Sequence, residues 1–343
     1  MPFEFSMPPI GRAEPGVCSA PMETRTFGSL GPVSALTIGG GGLGQVWGTT
    51  SREEGIATLR EAIDGGITWI DVAPLYGNGE AERVVGEAYD GALPAGVRLS
   101  TKCFLGNPPA DEVRGRLEAS LRESLERLRL ARVDLFILHG MIIPDERAGQ
   151  RGYRGTPRSL FASAVVPAFE ALKMAGLIGG WGLSGIGVPQ SVIETIASDP
   201  APAAVQVVTN LLDSAGGMKT FDEPARPREI LAAARARAVG VMGIRAVQAG
   251  ALTDAIDREL PAESPEALDF AGAAPFRALA AELGQSPAAL AHRYALSLPG
   301  VSTVILGVKN RAELRECLAA EAAGPLAAEI VARLDAVVVP SGP

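Results

Sequence analysis

The sequence predicts an α/β protein, a (β/α)8 TIM barrel entered through an N-terminal β-hairpin. Three observations carry that prediction. Short apolar strands alternate with amphipathic helices eight times between Ala35 and Ala323. No linker-like shift in composition interrupts the alternation, and apolar residues make up 47% of the 343-residue chain, enough for one large core. A doubly wound open sheet is the competing architecture, because periodicity does not reveal strand order.

The elements follow in order. Residues 1–21, MPFEFSMPPIGRAEPGVCSAP, are Pro-rich and lack the basic and apolar regions of a signal peptide. They are expected to form a disordered extension, with one barrel domain over residues 22–343. METRTFGSLGPVSALTIGG, from Met22, reads as the hairpin, turning at Gly28–Gly31. SALTIG (34–39) is the first barrel strand, and its helix spans 52–64 with Ser51 as N-cap. TWID (68–71) precedes a helix over 81–89. VRLSTK (97–102) precedes one over 110–129, where Val113, Leu117, Leu121, Leu125 and Leu128 recur at helical spacing. RVDLFILH (132–139) is followed by a long loop and a helix over 165–175. GGWGLS (179–184), AAVQVVTN (203–210), GVMGIRAV (240–247) and STVILG (302–307) complete the strands. Their helices are expected over 189–198, 228–237, 287–298 and 311–323.

Composition narrows the function. A net charge of −8 argues against a nucleic-acid-binding surface, and no apolar run approaches the roughly 20 residues that span a bilayer. Cys18, Cys103 and Cys317 are odd in number and widely spread, which fits a reducing, cytoplasmic setting and provides no disulfide framework. With two histidines, His139 and His292, no His-rich metal centre is expected.

In a barrel of this kind chemistry sits at the C-terminal ends of the strands. Three successive strands end there in ionisable residues: Asp71, Lys102 and His139. Tyr76 lies on the turn that follows Asp71, in IDVAPLYGNGEAE. Singly, Asp71 reads equally well as a turn cap, Lys102 as a solvated cation and His139 as a core histidine. Together they make a proton-transfer set. A phenol with an intrinsic pKa of about 10 is a poor acid or base near neutrality, and a neighbouring ammonium is expected to lower that value. Asp71 would hold Lys102 charged, and neutral His139 would orient a substrate oxygen.

With those residues in place, the chain resembles the aldo-keto reductase family from about Met22 to Ala323. GITWIDVAPLYGNGEAERVVGEAY (66–89) is similar to the family's second-strand signature, LSTK (99–102) to its lysine strand and RVDLFILH (132–139) to its histidine strand. The resemblance implies hydride transfer with a nicotinamide cofactor and no metal, with Tyr76 as general acid/base assisted by Asp71, Lys102 and His139.

The resemblance also places the cofactor. GGGGLG (39–44) contains a GxGxxG match, but QVWGTT separates it from the next helix and no acidic residue follows at the spacing of a dinucleotide fingerprint. These glycines read instead as a flexible exit from the first strand. No Tyr-x-x-x-Lys pattern occurs. The resemblance implies Ser184 and Gln206 at the carboxamide, with Gln206 equally readable as a barrel-core hydrogen-bonder. It implies Arg245 at the pyrophosphate, a salt bridge being the plainer alternative. Ile244 stands where the family has a stacking aromatic, Gly185 where it has Asn, and Cys317 where it often has Asn. Gly307, Lys309, Arg311 and Glu316 fall in the segment implied to hold the adenosine phosphate, so NADP(H) is preferred and NAD(H) remains an alternative.

Trp47, Leu75, Phe104 and Met141, together with the long loop 140–160, are expected to rim an apolar substrate pocket. The leading expectation is an NADP(H)-dependent interconversion of a carbonyl and an alcohol. The alternatives are an NAD-dependent aldose 1-dehydrogenase and a non-catalytic, cofactor-binding redox-sensing subunit. The partner expected is a small molecule, not nucleic acid or membrane.

Overall fold

The chain enters through an antiparallel hairpin of β1 (Thr24–Thr26) and β2 (Pro32–Ser34), in a computed structural model that describes residues 21–337. Gly28 and Gly31 take the turn's positive φ angles of 49° and 83°. Apart from Pro21, the expected disordered extension lies outside the described residues.

Eight parallel strands then close into a barrel: β3 (Leu36–Gly39), β4 (Trp69–Asp71), β5 (Arg98–Cys103) and β6 (Val133–Leu138), followed by four more after the long loop. Between the two sets, β7 (Met141–Ile143) and β8 (Gly155–Pro157) pair as a separate parallel ribbon inside the long loop. The remaining barrel strands are β9 (Ile178–Ser184), β10 (Ala204–Val208), β11 (Gly240–Ile244) and β12 (Thr303–Leu306). β12 pairs with β3 to close the ring, which decides against the open doubly wound sheet.

The strands read as apolar runs because both faces are covered. Outside, Leu59, Val84, Leu117, Leu121 and Phe169 from the helices pack on the sheet. Inside, Trp69, Leu135, Ile137, Ala204 and Met242 fill the barrel's lower end, where Phe27 and Val33 of the hairpin plug it. Phe27 meets Trp69 edge-on, with ring centroids 5.0 Å apart. The helix over Arg52–Asp64 is capped as expected: the Ser51 hydroxyl accepts from the Glu54 amide at 3.1 Å, a contact worth about 1 kcal/mol.

Two local readings change. The glycine run is no loose exit: Gly40–Leu43 forms one buried helical turn. A Cβ on Gly42 would lie 1.9 Å from the Val308 carbonyl oxygen and one on Gly39 2.3 Å from that of Leu306, so these glycines serve close packing against the exit of β12. Helices over Pro265–Gly272, Ala274–Glu282 and Ala328–Val337 supplement the eight-fold alternation. Among the described residues no helix is long and apolar enough to cross a membrane.

Candidate functional site

Sheet register builds the site. Asp71 ends β4 beside Ser100 of β5, and two residues further along β5 Lys102 points to the same interior face. Thr101, between them, faces outward and donates to Glu82 at 2.6 Å, and Glu82 is in turn held by Arg127 at 2.6 Å. His139 follows the last residue of β6, its amide bonded to the Cys103 carbonyl at 2.7 Å.

The four expected residues meet. Lys102 is fully buried and donates to Asp71 Oδ2 at 2.6 Å and to the Val72 carbonyl at 2.9 Å. Its Nζ lies 4.6 Å from the centroid of the Tyr76 ring, and the rings of Tyr76 and His139 meet edge-on at 5.5 Å. Ser100 Oγ donates to Asp71 Oδ1 at 2.6 Å, and Gln206 Nε2 lies 3.1 Å from each carboxylate oxygen.

The charges follow from this packing. Burial pulls the Lys102 ammonium towards neutrality, but Asp71 and Tyr76 outweigh it and leave its pKa above the ordinary lysine value. For Tyr76 the balance runs opposite to the expectation. Burial raises the phenol's pKa, Lys102 lowers it and Asp71 raises it again, and the net direction is up. Tyr76 therefore keeps its proton well past neutrality. Burial, reinforced by Lys102, drops His139 to about 3, so its imidazole is neutral near pH 7. Its Nδ1 is buried without a protein hydrogen-bond partner.

A cavity of about 640 Å³ opens from this cluster, within the roughly 300–1,000 Å³ range of small-molecule sites. Its wall runs from Asp71, Tyr76 and His139 past Ser184, Gln206 and Ile244 to Lys309, Glu313, Glu316 and Cys317 at the helix over Arg311–Ala322. Gly41 and Gly307 line it beside Trp47: a Cβ would come within 2.5 Å and 3.2 Å of the Trp47 Nε1. Residues of 246–258 form a further wall, including Arg258, whose guanidinium lies 6.0 Å from the Trp47 ring.

Other residues singled out from the sequence have prior engagements. Gln206 turns its Nε2 to Asp71, leaving the amide's carbonyl oxygen for another partner. Arg245 reaches the cavity wall but pairs with Glu266 at 2.9 Å, the plainer of its two readings, and bonds Gln248 at 2.7 Å. Lys309 pairs with Asp257 at 2.6 Å and Glu313 at 2.8 Å. Arg311 is not among the lining residues, and Glu54 takes both its backbone amide, at 3.0 Å, and its guanidinium, at 2.9 Å. Glu316 lines the cavity and accepts a short hydrogen bond from Ser286.

Of the expected rim, Trp47 lines the cavity, whereas Leu75 and Phe104 are exposed outside its wall. Met141 packs towards Ile143, Tyr153, Val188 and Phe221, a small cluster that stiffens the long loop. Val46, Ile186 and Met218 supply apolar wall that sequence reasoning missed. Val46 and Ile186 sit on loops and Met218 in a single 3-10 turn, none with periodicity, so no local pattern marks them. Ser100 was missed as well, although its position two residues before Lys102 puts it on the same strand face.

Comparison with known proteins agrees with the barrel architecture. L-galactose dehydrogenase from Arabidopsis thaliana is 27% identical over 302 residues, covering 87% of this chain and 88% of that one. D-threo-aldose 1-dehydrogenase from a Pseudomonas species is 25% identical over 244 residues, 64% and 68% of the two chains. Among solved structures, an aldo-keto reductase from Klebsiella pneumoniae in complex with NADPH superposes with a TM-score of 0.67 at 24% identity, covering 94% of this chain and 97% of that one. The glycerol dehydrogenase from Gluconobacter oxydans gives 0.69 at 23%, covering 93% and 97%. The model of the Aldo/keto reductase family matches residues 35–339. With that match over most of its length and a closed eight-stranded barrel beneath it, the chain belongs to the aldo/keto reductase family.

Proposed function

We propose that the protein interconverts a carbonyl compound and an alcohol with a nicotinamide dinucleotide, and that Tyr76 carries the proton. The observation that supports this best is the packing of Tyr76 between the Lys102 ammonium and the His139 ring at the mouth of the cavity. A dinucleotide fits the residues present: the cavity joins that cluster to a helix N-terminus, and Gly41 and Gly307 leave room along the path.

The bound cofactor supplies or accepts the hydride; the chain's residues handle the proton and the charge. In reduction, negative charge grows on the carbonyl oxygen. Tyr76, protonated near neutrality with its pKa raised further by desolvation, donates to that oxygen. Lys102 stabilises the phenolate left behind, and Asp71 keeps Lys102 charged and fixed. His139, neutral, donates a hydrogen bond that orients the substrate oxygen. In oxidation the phenolate form of Tyr76, held by the Lys102 ammonium, accepts the alcohol's proton and becomes the phenol. Val46, Trp47, Ile186 and Met218 favour a substrate with an apolar body.

NADP(H) is the cofactor we favour, since Lys309 reaches the cavity wall at the far end and a structural relative binds NADPH. A second reading, NAD-dependent oxidation of a sugar, draws support from the carboxylates of Asp257, Glu313 and Glu54 that already neutralise Lys309 and Arg311. The aldose and galactose dehydrogenases among the relatives point the same way. A purely cofactor-sensing role is disfavoured by the assembled Tyr76–Lys102–Asp71 cluster. Fluorescence titration with NADPH and NADH, followed by turnover on carbonyls and sugars, separates the readings. Tighter NADPH binding with carbonyl reduction supports the first, and NADH preference with sugar oxidation replaces it by the second. Failure of both nucleotides to bind refutes both.

A further inference from the structure

Asp71 is held from below by a chain of hydrogen bonds that the proton-transfer cluster does not itself require. Trp69 Nε1 donates to Ser100 Oγ at 3.0 Å, and Ser100 Oγ donates to Asp71 Oδ1 at 2.6 Å. Trp69 and Ser100 are fully buried and Asp71 nearly so. A serine hydroxyl has one proton to give. Trp69 fills a lone pair of the oxygen with its N–H, so the hydroxyl proton turns to the carboxylate oxygen, while the Ile70 carbonyl is left at 3.4 Å. A donor that itself accepts a hydrogen bond is polarised and donates more strongly.

We propose that Ser100, oriented by Trp69, is a positioning residue that sets the proton affinity of Tyr76 through Asp71 and Lys102. The inference rests on the proton-transfer role proposed above for Tyr76. Asp71 raises the phenol's pKa and Lys102 lowers it. The Ser100 hydroxyl takes up part of the carboxylate's charge, which weakens the first effect and loosens the hold of Asp71 on the ammonium. Both consequences make the phenol a stronger acid. Removing the hydroxyl concentrates charge on Asp71, draws Lys102 towards it and raises the proton affinity of Tyr76.

The register makes this arrangement specific. Asp71 lies beside Ser100 across β4 and β5, and Trp69 lies two residues before Asp71 on the same interior face. The Trp69 ring is also clamped, edge-on by Phe27 at 5.0 Å and by the Arg98 guanidinium at 4.6 Å from its centroid. Its N–H therefore has one fixed direction.

The test compares wild type with Ser100→Ala, Ser100→Cys and Trp69→Phe, using the pH dependence of kcat for carbonyl reduction. Reduction needs protonated Tyr76, so the rate falls as pH rises through the Tyr76 pKa. In Ser100→Ala that alkaline limb is expected to move up by about half a pH unit or more, with kcat reduced several-fold near neutrality. Ser100→Cys, nearly isosteric and a weaker donor, is expected to fall between the two, and it carries the test if the alanine variant does not fold.

A second readout does not depend on turnover. The chain has three tryptophans, so its indole N–H resonances are few, and Trp69→Phe assigns one of them. That resonance is expected to shift in Ser100→Ala and also in Lys102→Met, where the carboxylate changes but Trp69 and Ser100 do not. An unmoved alkaline limb in folded Ser100→Ala and Ser100→Cys overturns the inference, as does an indole resonance indifferent to Lys102→Met. If Tyr76→Phe itself remains active, the underlying reading of Tyr76 fails instead, so the two failures are distinguishable.

Discussion

Replacing Lys102 by Met removes the ammonium from the centre of the site while keeping an unbranched side chain of similar length. Two consequences can be sized from the geometry. The first is electrostatic. Lys102 Nζ lies 4.6 Å from the Tyr76 ring centroid. At an effective dielectric of about 20, unit charges at that separation interact by roughly 3–4 kcal/mol, or about two to three pKa units. The Tyr76 pKa, already raised by burial, is therefore expected to climb further, and a phenolate left by proton donation loses its counter-charge. Turnover should fall by about 10²- to 10³-fold near neutrality. The second consequence is structural. Asp71 would keep the Ser100 and Gln206 donors but lose its ion-pair partner, which costs about 3 kcal/mol for a charge this deeply buried. Stopped-flow absorbance of the reduced nicotinamide measures the first effect, with cofactor fluorescence confirming that binding survives. Denaturant unfolding measures the second, and Asp71→Asn combined with Lys102→Met should recover most of the lost stability while activity stays low. A folded Lys102→Met enzyme that turns over within a few-fold of wild type would refute the electrostatic reasoning.

Acid stability provides a further test. His139 is held near 3 by burial and by Lys102, whereas an exposed or unfolded histidine titrates near 6.5. The folded state thus binds fewer protons, and stability that is fully present above about pH 6.5 drains away as pH falls towards 3, by up to about 1.4 kcal/mol per pH unit. His139→Gln should flatten this limb in urea unfolding measured across that window. His292, also lowered by burial, should retain part of the slope. At the far end of the cavity, Lys309→Met is expected to weaken NADPH about tenfold more than NADH, read by fluorescence titration. Glu54→Gln should free Arg311 and tighten NADPH about two- to threefold; equal effects on both nucleotides would remove these cations from the 2′-phosphate.

What was legible in the sequence was what periodicity and strand position encode. The eight alternations located every barrel strand to within a few residues, because strands covered on both faces leave uninterrupted apolar runs. The ionisable strand ends of Asp71, Lys102 and His139 were legible for the same reason: a charged or polar residue closing an apolar strand stands out. Balances among opposing effects were not. The presence of Lys102 near Tyr76 could be anticipated, but the degree to which burial outweighs it depends on packing contributed by distant segments. The partners of Arg245 and Arg311 lie 21 and 257 residues away in the chain. No local pattern tells a phosphate-binding arginine from one already paired to a carboxylate. Gly42 misled for a related reason: its constraint is the Val308 backbone, brought there by barrel closure.

The most direct experiment is a single-turnover measurement on Tyr76→Phe with saturating reduced cofactor and a carbonyl substrate. The substitution removes one hydroxyl and leaves the ring that packs against Lys102 and His139. Hydride transfer coupled to protonation is expected to slow by about 10²-fold or more, with cofactor affinity unchanged within a factor of about three. A comparable rate in Tyr76→Phe would show that another group supplies the proton and would contradict the assignment of Tyr76.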